Sequence, residues 1–399
     1  MRNAVALLAL AIAAQADARA RDLGIPFEGT PGPLNAITDV PGVEVGQKPL
    51  IDGDGPLKVG VGPVRTGVTV VLPRGRSDGR AVYGGFFNLN GNGEMTGRAY
   101  LEDFGIVQGP IGLTDSNAIG QTYAGIQQWT SKRTGTASWP VVAETWSGYL
   151  NDIEGFHVTA ETAMAAIDSA KPGPVEEGSV GGGTGMICFG FKGGIGTASR
   201  VLTVEGKSYT VGVLVQCNTG DRKVLRIAGA PVGQALAKRW LRCFDAGSAR
   251  ASGDLPQCTP DGARGKPAPD EGSIIIVVGT DAPLTPLQLN RVARRAAMGL
   301  ARLGSYSGNQ SGDLILSFST AAPEVNAAEQ GRPSPISPLG NLAIDPLFEG
   351  TAEATEEAIV NALVAARTMT GINGTRVYGI PHDELRSILK RYDRLEASK

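Results

Sequence analysis

Gly272 and Ser273 stand directly before the apolar run Ile274-Ile275-Ile276-Val277-Val278, and the polar, proline-containing stretch 266–271 lies behind them. A serine so placed can attack the carbonyl of the preceding glycine through Oγ and turn that peptide bond into an ester. Hydrolysis of the ester leaves Ser273 as a new N-terminus carrying hydroxyl and amine on one residue. An α-amine titrates near about 7.7–8.0, against about 10.4 for lysine, so a useful fraction is neutral and able to accept a proton at neutral pH. Glycine suits the attacked position because it imposes no Cβ. The same two residues also read as an ordinary loop exit into a strand.

Other chemistry is scarce in the chain. Only two histidines are present, His157 and His382, which excludes a multi-histidine metal centre and leaves two candidates for a Ser-His-Asp triad. Both read as surface or helix-capping residues. Gly75-Arg76-Ser77-Asp78-Gly79 matches G-x-S-x-G, but the residues that follow, Arg80 to Phe87, look like a strand rather than the helix a nucleophile elbow requires. A hairpin turn is expected there. Gly206-Lys207-Ser208 lacks the glycine of a phosphate loop, since position 201 is Val. The glycine-dense tract Gly181 to Gly196 has no G-x-G-x-x-G spacing and reads as close backbone approach instead. No metal, nucleotide or other cofactor is expected, and the shortage of conventional bases raises the weight of an α-amine base.

The elements that must hold such a site alternate in type. Strands are expected at Gly67 to Leu72, Val82 to Phe87, Val141 to Ala143, Tyr209 to Gln216, Ser273 to Val278 and Leu314 to Phe318. Helices are expected at Thr159 to Ala170, Ala230 to Leu241, Pro286 to Leu303 and Ala352 to Met369. The third has the clearest ends: Thr285 as N-cap, Pro286 at N1, Gln288 completing a capping box, and Gly304 as the stop. The pattern is that of a layered α/β protein. With 19% charged residues and a formal net charge of -2, no surface for nucleic acid is indicated.

Residues 1–20 read as an export signal: Arg2, the apolar run Ala4 to Ala14, and small residues at cleavage spacing in either Ala16-Asp17-Ala18 or Ala18-Arg19-Ala20. The alternative is a buried N-terminal helix. A periplasmic destination follows from the first reading, and no later segment looks membrane-spanning. In an oxidising compartment Cys243 and Cys258, both in the Gly/Pro/Asp-rich neighbourhood of residues 245–269, are expected to pair. Cys188 and Cys217, set among apolar residues, are expected to be small unpaired core side chains.

Five segments together carry a resemblance: Glu144 to Ile153 (ETWSGYLNDI), Gly181 to Arg200 (GGGTGMICFGFKGGIGTASR), Val211 to Asn218 (VGVLVQCN), Gly272 to Leu284 (GSIIIVVGTDAPL) and Ser311-Gly312-Asp313. They resemble the L-aminopeptidase/D-amidase-esterase and β-peptidyl aminopeptidase family of N-terminal serine hydrolases. The resemblance implies a four-layer αββα sandwich, cut by its own chemistry into an α chain (21–272) and a β chain (273–399) of one domain. It also implies a homo-oligomer, a tetramer, of such αβ pairs, working without a cofactor on short peptides, amino-acid amides or esters. Position by position, it makes Ser273 the nucleophile after scission at Gly272, and Ser311 and Asp313 its supporting hydroxyl and acid. Asn218 becomes the oxyanion donor and Glu144 the receptor of the substrate ammonium. Asp313 stands where β-peptide-active relatives often carry Glu, and Trp146, where some carry Tyr, reads as a pocket wall. The loop Asn90 to Glu94 borders the site, and the stretch 245–269 reads as an insertion whose end gates the pocket. Two other functions fit parts of the pattern: an acyltransferase of the ornithine-acetyltransferase type, which normally uses threonine, and a non-enzymatic periplasmic peptide-binding protein.

Overall fold

The computed structural model describes residues 18–136, 138–245, 255–259, 263–264, 272–321, 325 and 337–396. Most of the expected export signal and much of the 245–269 stretch, with its gating end, therefore lie outside the described residues. Two sheets dominate. The first runs β1 (Glu44–Asp52), β2 (Val64–Leu72), β5 (Ile111–Asp115), β6 (Val141–Thr145), with only β5 and β6 parallel. The second runs β4 (Ile106–Val107), β3 (Val82–Gly91), β13 (Gly312–Ser319), β12 (Ser273–Thr280), β10 (Lys207–Asn218), β9 (Gly194–Val204). All its pairs are antiparallel except β12 with β13.

The unbroken apolar run of β12 follows from burial on both faces. Side chains alternate across a strand, so Ile275 and Val277 enter a core shared with Leu113, Val141 and Ala143 of the other sheet. Ile274, Ile276 and Val278 enter a second core against helices α5 (Pro286–Arg302) and α6 (Asp345–Ala365). A third core joins Val68, Val70 and Val142 of the first sheet to Ile126 of α2 (Ile119–Thr134) and Ile167 of α3 (Ala160–Asp168). The short α1 (Arg98–Phe104) connects β3 to β4. At the start of α5 the expected capping box is present: Thr285 Oγ1 accepts from Gln288 N at 3.2 Å, and Gln288 Oε1 accepts from Thr285 N at 2.9 Å.

Several expectations need correction. Residues 75–79 are not a hairpin turn, because β2 and β3 belong to different sheets and the segment carries the chain between them. The helix expected over Ala230 to Leu241 shrinks to α4 (Val232–Ala235). Beyond Ala235 the chain leaves the helix, and the carbonyls of Arg239 (2.8 Å) and Trp240 (3.2 Å) at the far end of the stretch accept from the buried Arg222 guanidinium. Helix α6 begins seven residues earlier than Ala352 and ends at Ala365. Cys188 and Cys217 are buried as expected but are joined in a disulfide. The hairpin of β7 (Ile187–Cys188) and β8 (Phe191–Lys192) folds back on the end of β10 and brings them together. Cys243, on β11 (Cys243–Phe244), is joined to Cys258.

Candidate active site

Three strand ends converge on Ser273. It is the first residue of β12, opposite Asn218 at the end of β10, while Ile274 pairs with Asp313 at the start of β13. The Gly312 N–H donates to Ser273 Oγ at 3.0 Å, so the residues flanking Gly312 are carried close to the hydroxyl. Ser311 Oγ donates to the buried Asp313 Oδ1 at 2.6 Å and lies 3.2 Å from Thr219 Oγ1. A register shift between Asp313 and Leu314 opens the ladder with β3 at this point, as bulges beside reacting groups do. Gly272 is pressed onto the end of β10: a Cβ there would lie 1.7 Å from the Asn218 carbonyl oxygen. Only glycine fits this position.

Asn218 is oriented from two sides. Its Oδ1 accepts from Ile187 N at 2.7 Å, and its Nδ2 donates to the Trp146 carbonyl at 2.9 Å. One Nδ2 hydrogen then remains for an oxyanion. The other pole of the site is Glu144, next to the end of β6, which is 7% exposed. Its Oε1 accepts from Glu94 N at 3.1 Å and its Oε2 from the Ser116 hydroxyl. Burial raises its pKa above the ordinary carboxylate value, against the opposing pull of the Ser116 hydrogen bond.

Asp115 lies beside it on β5. Burial pushes this carboxyl up to about 6, although the hydroxyls of Ser147 and Thr66 donate to it. Asn151 Nδ2 also donates to it, at 3.0 Å, so Asp115 ties the Trp146–Asn151 segment to the sheet. A cavity of about 870 Å³ joins the two poles, with Ser273, Glu144, Ser116, Trp146 and Tyr149 in its wall and Asn90 to Gly93 along its rim. Trp146 and Tyr149 meet edge to face with ring centroids 4.7 Å apart.

Of the residues singled out in the sequence, Ser273, Glu144 and Trp146 line this cavity, and Asn218, Ser311 and Asp313 pack at its Ser273 end. His157 pairs with Asp152 at 2.8 Å, and His382 starts the helix His382–Arg391; neither lines the cavity. Sequence reasoning missed Ser116, Asp115, Thr219, and the backbone donors of Ile187 and Gly312. Thr219 adjoins Asn218 and was within reach, whereas Ser116 is brought to Glu144 only by the non-local β5–β6 pairing.

The model of Peptidase family S58 matches residues 35–377. The chain belongs to Peptidase family S58. Among the relatives of this S58 member is the beta-peptidyl aminopeptidase BapA of Sphingosinicella microcystinivorans, 51% identical over 99% of this chain and 98% of the relative. The enzyme of the same name from Sphingosinicella xenopeptidilytica is 47% identical over 95% and 93%. Among solved structures, the L-aminopeptidase D-Ala-esterase/amidase of Ochrobactrum anthropi superposes with a TM-score of 0.82 at 41% identity, over 94% of this chain and 99% of that one. It is described as a prototype of the serine aminopeptidases and a variant of the Ntn hydrolase fold. The S58 member described here shares that α/β fold.

Proposed function

We propose that the protein is an N-terminal serine aminopeptidase that activates itself by cutting between Gly272 and Ser273 and then releases N-terminal residues from short peptides, amides or esters. One observation carries the reading: a serine at the first residue of a central strand faces a buried carboxylate, Glu144, across one cavity. In the self-cleavage, Ser273 Oγ bonds to the Gly272 carbonyl carbon and the C–N bond breaks. The hydroxyl proton passes to the departing nitrogen, and water then hydrolyses the ester to leave the Gly272 carboxylate and a free Ser273 amine.

In turnover the neutral amine takes the Oγ proton, Oγ attacks the substrate carbonyl, and the free Asn218 Nδ2 hydrogen meets the oxyanion. The leaving amine departs with the proton, and water releases the amino acid from its ester. Glu144 pairs with the substrate ammonium, which an internal peptide bond lacks, and this restricts the enzyme to chain ends. The Ser311–Asp313 hydrogen bond lies where it can hold the new amine in register. The relatives are aminopeptidases, which favours this reading over an acyltransferase or a binding protein. Their names extend the substrate class to β-amino acyl groups and D-alanyl esters and amides.

The four-layer αββα arrangement is supported by the three cores, one between the sheets and one under each helix pair. Export to the periplasm is supported by the N-terminal pattern and by the two disulfides. A tetramer of αβ pairs is the assembly we expect, and light scattering measures it directly. Denaturing electrophoresis tests the central claim. Two bands are expected, the smaller starting Ser-Ile-Ile-Ile, with Ser273→Ala giving one band and no turnover of amino-acyl p-nitroanilides; an active, unbroken chain would refute it.

A further inference from the structure

Lys192, on β8, is wholly buried and takes no part in the chemistry above. Its ammonium donates to three main-chain carbonyls, those of Met186 at 2.8 Å, Gly193 at 2.9 Å and Gly183 at 3.3 Å, and no carboxylate among the described residues pairs with it. Burying an unpaired ammonium costs several kcal/mol by general experience, and burial draws this one down to about 7. An apolar side chain of similar length would fill the same space without that cost.

The carbonyl at 2.8 Å belongs to the peptide joining Met186 to Ile187, and the N–H of that same peptide donates to Asn218 Oδ1 at 2.7 Å. A peptide unit is planar and stiff, so a hold on its oxygen fixes the direction of its hydrogen. A cation on the oxygen also strengthens the N–H as a donor. With Oδ1 engaged by Ile187, Nδ2 turns the other way, toward the Trp146 carbonyl and the cavity. Were the peptide reversed, a carbonyl would face Asn218, draw Nδ2 toward itself, and leave Oδ1 to confront a developing oxyanion. The Cys188–Cys217 disulfide lies one residue beyond Ile187 and one before Asn218. It joins the two segments, and the Met186 carbonyl accepts a second hydrogen bond from Gly193 N at 2.9 Å, so the ammonium shares its hold on this peptide with one backbone donor.

We propose that Lys192 is a positioning residue for the reaction: together with Gly193 N–H, its ammonium holds the Met186–Ile187 peptide so that the Nδ2 end of the Asn218 amide faces the substrate carbonyl. The inference rests on the oxyanion role proposed for Asn218.

A double-mutant cycle on the processed enzyme tests it, with kcat and KM measured on an amino-acyl p-nitroanilide. Lys192→Met is expected to lower kcat about 10- to 100-fold, the scale of a misplaced or lost oxyanion donor, with KM changed less than about threefold. Lys192→Gln, which keeps a donor without the charge, is expected to fall between Met and the parent, and it carries the test if the Met variant does not fold. In an Asn218→Ala background, removing Lys192 is expected to cost less than about a further threefold, because the group it positions is gone. Additive losses, a change confined to KM, or parental kcat in Lys192→Met would overturn the inference. An Asn218→Ala enzyme with parental kcat would sink the oxyanion reading itself, and the inference with it.

Discussion

Replacing Gly272 with alanine probes the proposed self-cleavage at its tightest point. The added Cβ would lie 1.7 Å from the Asn218 carbonyl oxygen, 2.6 Å from its carbon and 2.9 Å from the Thr219 Cα. All three are backbone atoms that no side-chain rotation can move. Restoring an ordinary contact of 3.4 Å to the oxygen requires a displacement of about 1.7 Å, shared between Gly272 and the end of β10. A misplacement of about 1 Å at reacting atoms is enough to cost about 10²-fold in rate. Here the shift separates the attacked carbonyl from Ser273 Oγ, whose position Gly312 N holds. Self-cleavage in Gly272→Ala is therefore expected to slow by about 10²-fold or more, while the folded core persists because the clash lies at a strand end. The assay is the time course of the precursor band on denaturing gels after expression is stopped, with circular dichroism as the check on folding. A folded Gly272→Ala precursor that splits at the parental rate would refute the reasoning.

Three further outcomes follow from the structure. Glu144→Gln is expected to lower kcat/KM for free-amine substrates about 10- to 150-fold, the equivalent of a charge-assisted hydrogen bond. Because burial raises the Glu144 pKa, the parental kcat/KM should fall as pH drops through that raised value, where the carboxylate is protonated and releases the ammonium. The Gln variant should lack this limb, and an unchanged kcat/KM would refute the role. Under the export proposed above, the mature N-terminus is expected at Arg19 rather than at Arg21, where an export signal over 1–20 would put it. Arg19 binds the buried Glu177 at 2.7 Å and the Thr197 carbonyl at 2.6 Å, while Ala20 N donates to Asn361 at 3.0 Å. A cut after Ala20 would strand all three partners, so mass spectrometry finding Arg21 first would refute it. Finally, the unreduced, denatured protein should show no free thiol to Ellman's reagent, since all four cysteines are paired. Replacing Cys188 and Cys217 with serine should lower the urea-unfolding free energy by about 2–4 kcal/mol; an unchanged midpoint would contradict that.

Legibility in the sequence followed the range of the interactions. β12 and α5 announce themselves through local signals, an apolar run behind a turn and a capping box before an amphipathic face. Helix α2 was missed because it buries little beyond Thr122, Gly125 and Ile126, too weak an apolar stripe to read. β9 hid inside a glycine tract whose glycines serve close contact: a Cβ at Gly196 would sit 2.0 Å from the Ala358 carbonyl oxygen of α6. α4 falls short of the stretch read as helical, whose far end instead binds the Arg222 guanidinium through the Arg239 and Trp240 carbonyls, a contact that no local pattern records. At the site, the resemblance points to Glu144 and Asn218, but not to what holds them. The Ser116 hydroxyl reaches Glu144 and the Ile187 N–H reaches Asn218 across strands and loops, Asp115 anchors the segment whose Trp146 carbonyl accepts from Asn218, and a linear reading carries no record of such pairings.

The neighbours of β12 decide what the proposed cut would leave behind. β12 and β13 sit side by side in the interior of their sheet, with β10 on one flank and β3 on the other. With the link before β12 cut as proposed, the smaller fragment would be inlaid between two strands of the larger one, like a splice seated in timber. Pulling the pieces apart would tear two rows of main-chain hydrogen bonds and split every core that β12 enters. Such a cut would make two polypeptides without making two separable bodies, and loss of either piece would require unfolding of the whole.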